Sequence, residues 1–230
     1  MKKNNQLYEA KEENVFQLST GDLMAGLLFI FILLLMGALL RVQEKERQDE
    51  EIVRRYDQIK TQLYIDLQEE FKDDLVVWRA MIDSTLCIRF QEPSMLFDEG
   101  DDKLKDNFKV ILNDFFPRYI AVLSRPQYKD NIEEIRIEGH TNSNGEYFSN
   151  MRLSQDRTRA VLRYCLTLMP EQDIAWATGL ITANGLSSSH LIYRDGIEDK
   201  DLSRRVEFRV RTNAEKQLEE IANRRFNNNQ

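Results

Sequence analysis

Charged and apolar residues mix along most of this chain, but one stretch contains no charge at all. Leu23 to Leu40 reads LMAGLLFIFILLLMGALL, 18 residues, close to the ~20 that carry a helix across a ~30 Å hydrocarbon core. It predicts a single membrane-spanning helix over residues 19–42, entered from a polar tail or short helix over 1–18. A cleaved signal peptide has a basic region directly before its apolar run and small residues after it. Here Asp22 abuts the run, and Leu39, Leu40 and Arg41 close it.

From Arg41 to Pro93 the sequence has neither Pro nor Gly and is densely charged, which predicts a long linker helix over 43–84. Ile52, Tyr56, Ile59 and Leu63 step by four, three and four, and Leu67, Phe71 and Leu75 continue by fours. Such a seam either pairs two copies of the chain as a homodimer or packs the helix on its own domain.

Beyond Thr85 short apolar strands alternate with helical spacing. Thr85–Phe90 predicts a strand, and Asp101–Ser124 a helix with Leu104, Phe108, Ile111, Leu112 and Phe115 on one face. Ile132–Glu138 (IEEIRIE) alternates strictly as a strand does, a polar loop spans 139–150, and Ser154–Met169 returns to helical spacing. Ile174–Ala183 and Val206–Arg211 predict the last strands, and 213–230 a final helix and tail. The result is an α+β domain of βαβαββ order over residues 85–212.

A length of 230 residues leaves room for one such domain beside the span. The net charge of -7 gives no electrostatic footprint for nucleic acid. Lys2, Lys3 and Lys11 before the span balance Arg41, Lys45 and Arg47 after it, so charge does not orient the helix. Cys87 and Cys165 fit no metal-ligand spacing; they either pair in an oxidising compartment or sit as buried apolar side chains. His140 has no partners for a nucleophilic triad, so neither an enzyme, a cofactor nor a metal is expected.

Three motifs carry a resemblance. MLFDEGDDKLKD, IEGHTNSNGEYFSNMRLSQDRTRAVLRYCL and SRRVEFRV resemble, in order, the opening, central and closing blocks of OmpA-like peptidoglycan-binding domains. The resemblance implies that the central block holds the diaminopimelate residue of the peptidoglycan stem peptide. An Asp after His-Thr, an Asn in the loop and an Arg in the following helix do this in the family. Here those positions are Asn142, Asn150 and Arg157, with Leu153 of the Leu-Ser pair beside them. Guanidinium suits a ligand carboxylate, and amide or carboxylate oxygens suit an ammonium. Helix N-terminal amides near Ser154 are expected to add to the anion site. Asn142 departs from the family's Asp, which weakens a charge-assisted bond by ~1–2 kcal/mol. A wall-binding domain lies outside the cytoplasmic membrane, so the resemblance implies a single-pass inner-membrane protein with a cytoplasmic N-terminus and a periplasmic C-terminal domain.

The run LSTGDLMAGLLFIFILLLM resembles the span of MotB-type stator subunits, and the short tail, this span and the long charged helix together look most like the B subunit of Zorya anti-phage defence systems. In these, one Asp near the cytoplasmic end of the span takes up and releases the driving ion. Asp22 holds that position; on its own residues it also suits a helix cap beside Ser19 and Thr20. The resemblance implies a proton as the ion, a MotA-like (ZorA-type) multi-span partner, a homodimer of this chain, and cytoplasmic defence effectors reached indirectly. A flagellar or export-energising stator and a passive wall anchor are the alternatives.

Overall fold

The computed structural model describes residues 2–91 and 93–213, with side chains over 23–91 and 95–213. The expected C-terminal helix and tail over 213–230 therefore lie outside the described residues beyond Asn213. The chain divides into two units, Met1–Ile52 and Val53–Gln230.

The first unit lies in helix α1 (Lys2–Phe71) and contains the apolar run. No described part of the protein covers that run: Leu35, the most covered of its large side chains, is still 49% exposed. It is the one described helix long and apolar enough to cross a membrane.

The second unit begins inside α1. The seam divides here: Ile52 is exposed and Tyr56 and Ile59 are half-buried, whereas Leu63, Leu67 and Phe71 are fully buried in the core of the folded domain. Burial of each of those three stabilises by roughly 1.5–3 kcal/mol. Polar bonds fix the same turns. Arg118 donates to Glu70 at 2.8 Å and Asp74 at 2.9 Å and lies 5.0 Å over the Phe71 ring. Asp66 accepts from Arg125 and from the Tyr128 hydroxyl, each at 2.8 Å.

α1 stops at Phe71, short of the expected residue 84. No Pro or Gly ends it; the cause is tertiary. Phe71 and Trp78 both enter an aromatic cluster around Phe115, with ring centroids 5.3 and 6.1 Å away. A short α2 (Asp74–Val77) joins them, and Arg79, at φ 47°, turns the chain into β1 (Ala80–Asp83). β1 pairs antiparallel with β2 (Cys87–Phe90), adding an edge strand to the expected order.

α3 (Pro93–Leu96) and a tight turn lead into α4 (Asp106–Leu123), which buries Phe108, Ile111, Leu112, Phe115 and Phe116. After α5 (Pro126–Lys129) come β3 (Ile132–His140) and α6 (Tyr147–Thr167), then α7 (Glu171–Thr178) and β4 (Ile181–Gly185). The expected strand 174–183 is thus a helix in its first half. Pro170 precedes it, and Glu171 and Asp173 lie in its first turn, where the helix dipole favours acids. A hairpin, β5 (Tyr193–Arg194) with β6 (Ile197–Glu198), then α8 (Lys200–Ser203) and β7 (Arg205–Thr212) complete the domain.

The main sheet has the order β1-β2-β7-β3-β4, parallel only between β3 and β4. Alternation gives it two unlike faces. Ile88, Phe90, Ile135, Ile137, Val206, Phe208 and Val210 belong to the apolar core, while Arg89, Glu138, Arg205, Glu207 and Arg209 occupy the alternate positions. α6 lies hard against β3 and β4: a Cβ on Gly139 would stand 2.6 Å from Thr158 Cγ2 and 2.9 Å from Ser154 O, and one on Gly185 would collide with Gln155 N. Cys87 and Cys165 are both buried and free.

Candidate functional site

A cleft opens where the start of β7, the end of β3 and α6 meet the turn before α4. Phe97, Asp98, Glu99, His140, Arg157 and Arg204 are among its lining residues. The turn is set locally. Gly100 adopts φ 72°, Asp101 accepts from the backbone N–H of Asp102 and Lys103, and Lys105 reaches Asp98 at 2.8 Å. The MLFDEGDD motif is therefore one wall of the cleft.

Arg157, near the middle of α6, forms the facing wall. Its Nε donates to Asp101 O at 2.8 Å, its Nη2 donates to Asp98 O at 2.9 Å, and its guanidinium lies 4.8 Å over the Phe97 ring. These contacts hold one edge of the guanidinium rigidly. Burial, and then the nearby Arg204 charge, lower its pKa, the direction expected of a cation facing a like charge out of water. Arg204 donates from Nη2 to Asp201 at 2.6 Å, but its Nε is buried without a hydrogen-bond partner. Two guanidinium groups and the carboxylates of Asp98 and Glu99 thus share one cleft, an arrangement complementary to a zwitterionic head group. Arg204, Asp98 and Glu99 were not singled out from sequence. An Arg-Arg pair at a strand entrance does not reveal which member turns outward; here Arg205 is the buried one.

Asn142 and Asn150 come together beside the cleft but are not among its lining residues. Asn150 Nδ2 donates to Asn144 O at 2.8 Å and Asn142 O at 3.3 Å, and Asn142 Oδ1 accepts from Asn144 N at 3.1 Å. Both amides shape the loop over 141–146. The hairpin and α8 brace that loop from outside: Glu198 accepts from Ser143 N and Oγ, and Lys200 of α8 donates to Asn144 Oδ1 at 2.7 Å. Leu153 is half-buried on α6. Ser154 corrects the sequence reading. α6 begins at Tyr147, so Ser154 sits within the helix, where its Oγ donates to Met151 O and accepts from Ser187 N. Its amides belong to the helix and offer no terminal anion site.

Beneath the cleft, Glu138, His140 and Glu207 bring ligand atoms within 4.8 Å of one another, the geometry of a metal cluster. The donor set does not suit a cation. Glu207 already accepts from Arg205 at 2.6 Å, Arg89 at 2.7 Å and Arg209 at 2.9 Å, and Glu138 accepts from Arg209 at 3.2 Å. A dication would join three guanidinium groups facing two carboxylates. Burial works against the charged Glu207, but its bonds from Arg205 and Arg89 hold its carboxyl well below the usual range. Burial, reinforced by the Arg205 charge, pushes the His140 imidazole down to about 3, and both its ring nitrogens are buried without a hydrogen-bond partner. His140 is therefore a neutral, largely buried residue of the cleft floor.

The structure places the backbone of Asp22 within α1, one residue before the apolar run.

The OmpA family matches residues 96–201, which include the cleft turn, the loop, α6 and the hairpin. The Zorya protein ZorB of Escherichia coli is 41% identical over 230 residues, covering 94% of this chain and 96% of that protein. The crystal structure of a MotB-like protein from Desulfovibrio vulgaris is 22% identical, covers 70% of this chain and 98% of that one, and superposes with a TM-score of 0.52. The cell wall anchor of the T6SS from Pseudomonas aeruginosa is 19% identical, covering 64% and 96%, with a TM-score of 0.46.

Proposed function

This chain belongs to the family of the Zorya protein ZorB, and from that premise we propose that it is the wall-anchored, proton-conducting stator subunit of a Zorya-type anti-phage system. The observation that carries the anchor is the cleft. Arg157 and Arg204 offer guanidinium groups to a carboxylate, and Asp98 and Glu99 offer acceptors to an ammonium. The diaminopimelate head group of a stem peptide presents both. The acidic side of the cleft also answers the departure at Asn142: carboxylates from the opening motif stand in for the missing Asp.

The anchor has a mechanical counterpart in α1. Its turns from Leu63 to Phe71 are part of the domain core. Asp22 is the ionisable group where the apolar run starts. An acid at the edge of hydrocarbon is costly when charged, and taking up a proton removes that charge, the property needed of an ion carrier. One span with one acid makes no path, so a multi-span, MotA-like partner supplies the remaining walls around a dimer of this chain, with the domain periplasmic and the N-terminus cytoplasmic. Proton flow turns the partner around the anchored dimer and signals to cytoplasmic effectors.

Sedimentation with purified sacculi tests the anchor. Wild-type protein is expected to sediment with the wall, and Arg157→Ala to lose most of that retention while keeping its thermal transition. Equal retention of the two contradicts the assignment of the cleft.

A further inference from the structure

α6 carries a second feature that the cleft does not use. Tyr147 and Phe148 open the helix as an edge-to-face pair, ring centroids 5.6 Å apart at 81°. Both remain exposed, Tyr147 at 48% and Phe148 at 82%. Helical spacing puts Tyr147 on the stripe that runs through Asn150 to Arg157. The hairpin carries Tyr193, 60% exposed, on the face of its cross-strand partner Glu198. It is tied to the same loop through Glu198, and the Tyr147 hydroxyl lies 3.5 Å from Ser189 Oγ. An aromatic ledge with hydroxyl and amide groups along its border therefore flanks loop 141–146.

The chemistry of the ledge selects its ligand. A pyranose ring presents an apolar C–H face that stacks on an aromatic ring and a rim of hydroxyls that bond to Ser and Asn groups. Glu146 directly precedes the ledge and Glu198 is bonded to Ser143 of the loop, which disfavours an anionic lipid surface. Distance agrees as well. Tyr147 and Arg157 are ten residues apart on one helix, ~15 Å at ~1.5 Å per residue. The diaminopimelate of a stem peptide is its third residue, so about 10–11 Å of extended chain plus the linking group separates it from the sugar.

We infer that the Tyr147–Phe148 ledge is a glycan subsite, which engages a sugar of the peptidoglycan strand while the Arg157 cleft holds the stem peptide of the same polymer. The inference rests on the wall-binding reading, and the experiment separates the two. Full-length protein in detergent is tested on stem tripeptide freed of sugar, on glycan strands stripped of peptide by amidase, and on intact sacculi. Phe148→Ala is expected to weaken binding to stripped strands and to sacculi by roughly 2- to 10-fold, the range for loss of one aromatic contact, and to leave tripeptide binding unchanged. Phe148→Trp retains binding, whereas Arg157→Ala loses the tripeptide and keeps the stripped strands. The glycan subsite is overturned if wild-type protein does not bind stripped strands, or if Phe148→Ala binds them as tightly as wild type. If Arg157→Ala holds the tripeptide normally, the wall-binding reading of the cleft fails instead. Phe148 is exposed enough for its removal to leave the fold intact, which an unchanged thermal transition verifies.

Discussion

Acid should weaken this domain well above the pH at which carboxylates begin to protonate, and His140 is the reason. Its imidazole is buried, with its pKa down to about 3 against an ordinary 6.5. The unfolded chain therefore binds a proton that the folded domain refuses. The stability at stake is fully present above the unfolded value and is lost progressively as pH falls from 6.5 toward about 3. Linkage puts the loss at ~2 kcal/mol between about pH 7.5 and about pH 5. Glu207 acts in the same direction, but only as pH falls below its ordinary 4.5, so the upper part of the range belongs to His140. Urea titrations followed by the fluorescence of Trp78 and Trp176 measure the shift. His140→Gln is neutral at every pH and should flatten the profile between about pH 7.5 and about pH 5, whatever it does to absolute stability. An unchanged slope in that variant, or a flat profile in the wild type, would refute the buried neutral imidazole.

Three further outcomes follow from other parts of the structure. Leu67→Ala should cost about 3–5 kcal/mol of unfolding free energy, because a fully buried side chain is removed from between α1 and the domain; a loss below ~1 kcal/mol, typical of a surface position, would mean that α1 is not part of the core. Gly185→Ala should lower the thermal midpoint sharply, since the new Cβ meets the backbone of α6 at Gln155; a normal midpoint would show that α6 can lift away. Asn142→Asp should tighten retention on sacculi by roughly 5- to 30-fold, the equivalent of ~1–2 kcal/mol, because Asp keeps an acceptor for Asn144 N–H and adds a charge beside the cleft. Weaker retention would show that the neutral amide is the required form.

The parts that were legible in the sequence are those in which local pattern and tertiary role coincide. The charge-free run from Leu23 to Leu40 is a helix, and IEEIRIE is a strand with Ile135 and Ile137 in the core; of the helix expected over Asp101–Ser124, the face from Phe108 on is the buried face of α4, but the helix starts only at Asp106, and Leu104 instead bridges to Phe97. Where tertiary packing overrides local preference, the pattern misled. AMID lies in a stretch with helical spacing, and only the reversal at Arg79 and pairing with β2 make it a strand. The by-fours spacing of Leu63, Leu67 and Phe71 fits a helix seam equally well whether a second copy or the domain itself covers it; the domain covers these three. The cleft was half legible. Its Arg157 stands in a recognisable motif, but Arg204 and Asp98 reach it from segments 106 residues apart, and no spacing rule connects them.

The central claim is that a titratable carboxyl at the start of the apolar helix drives a wall-tethered motor. Phage plating on cells expressing the intact defence system with Asp22→Asn in this chain tests it most directly, with membrane insertion checked by immunoblot. The account predicts that plating rises to the level of cells without the system while the variant inserts normally; full protection by a stably inserted Asp22→Asn chain would contradict it.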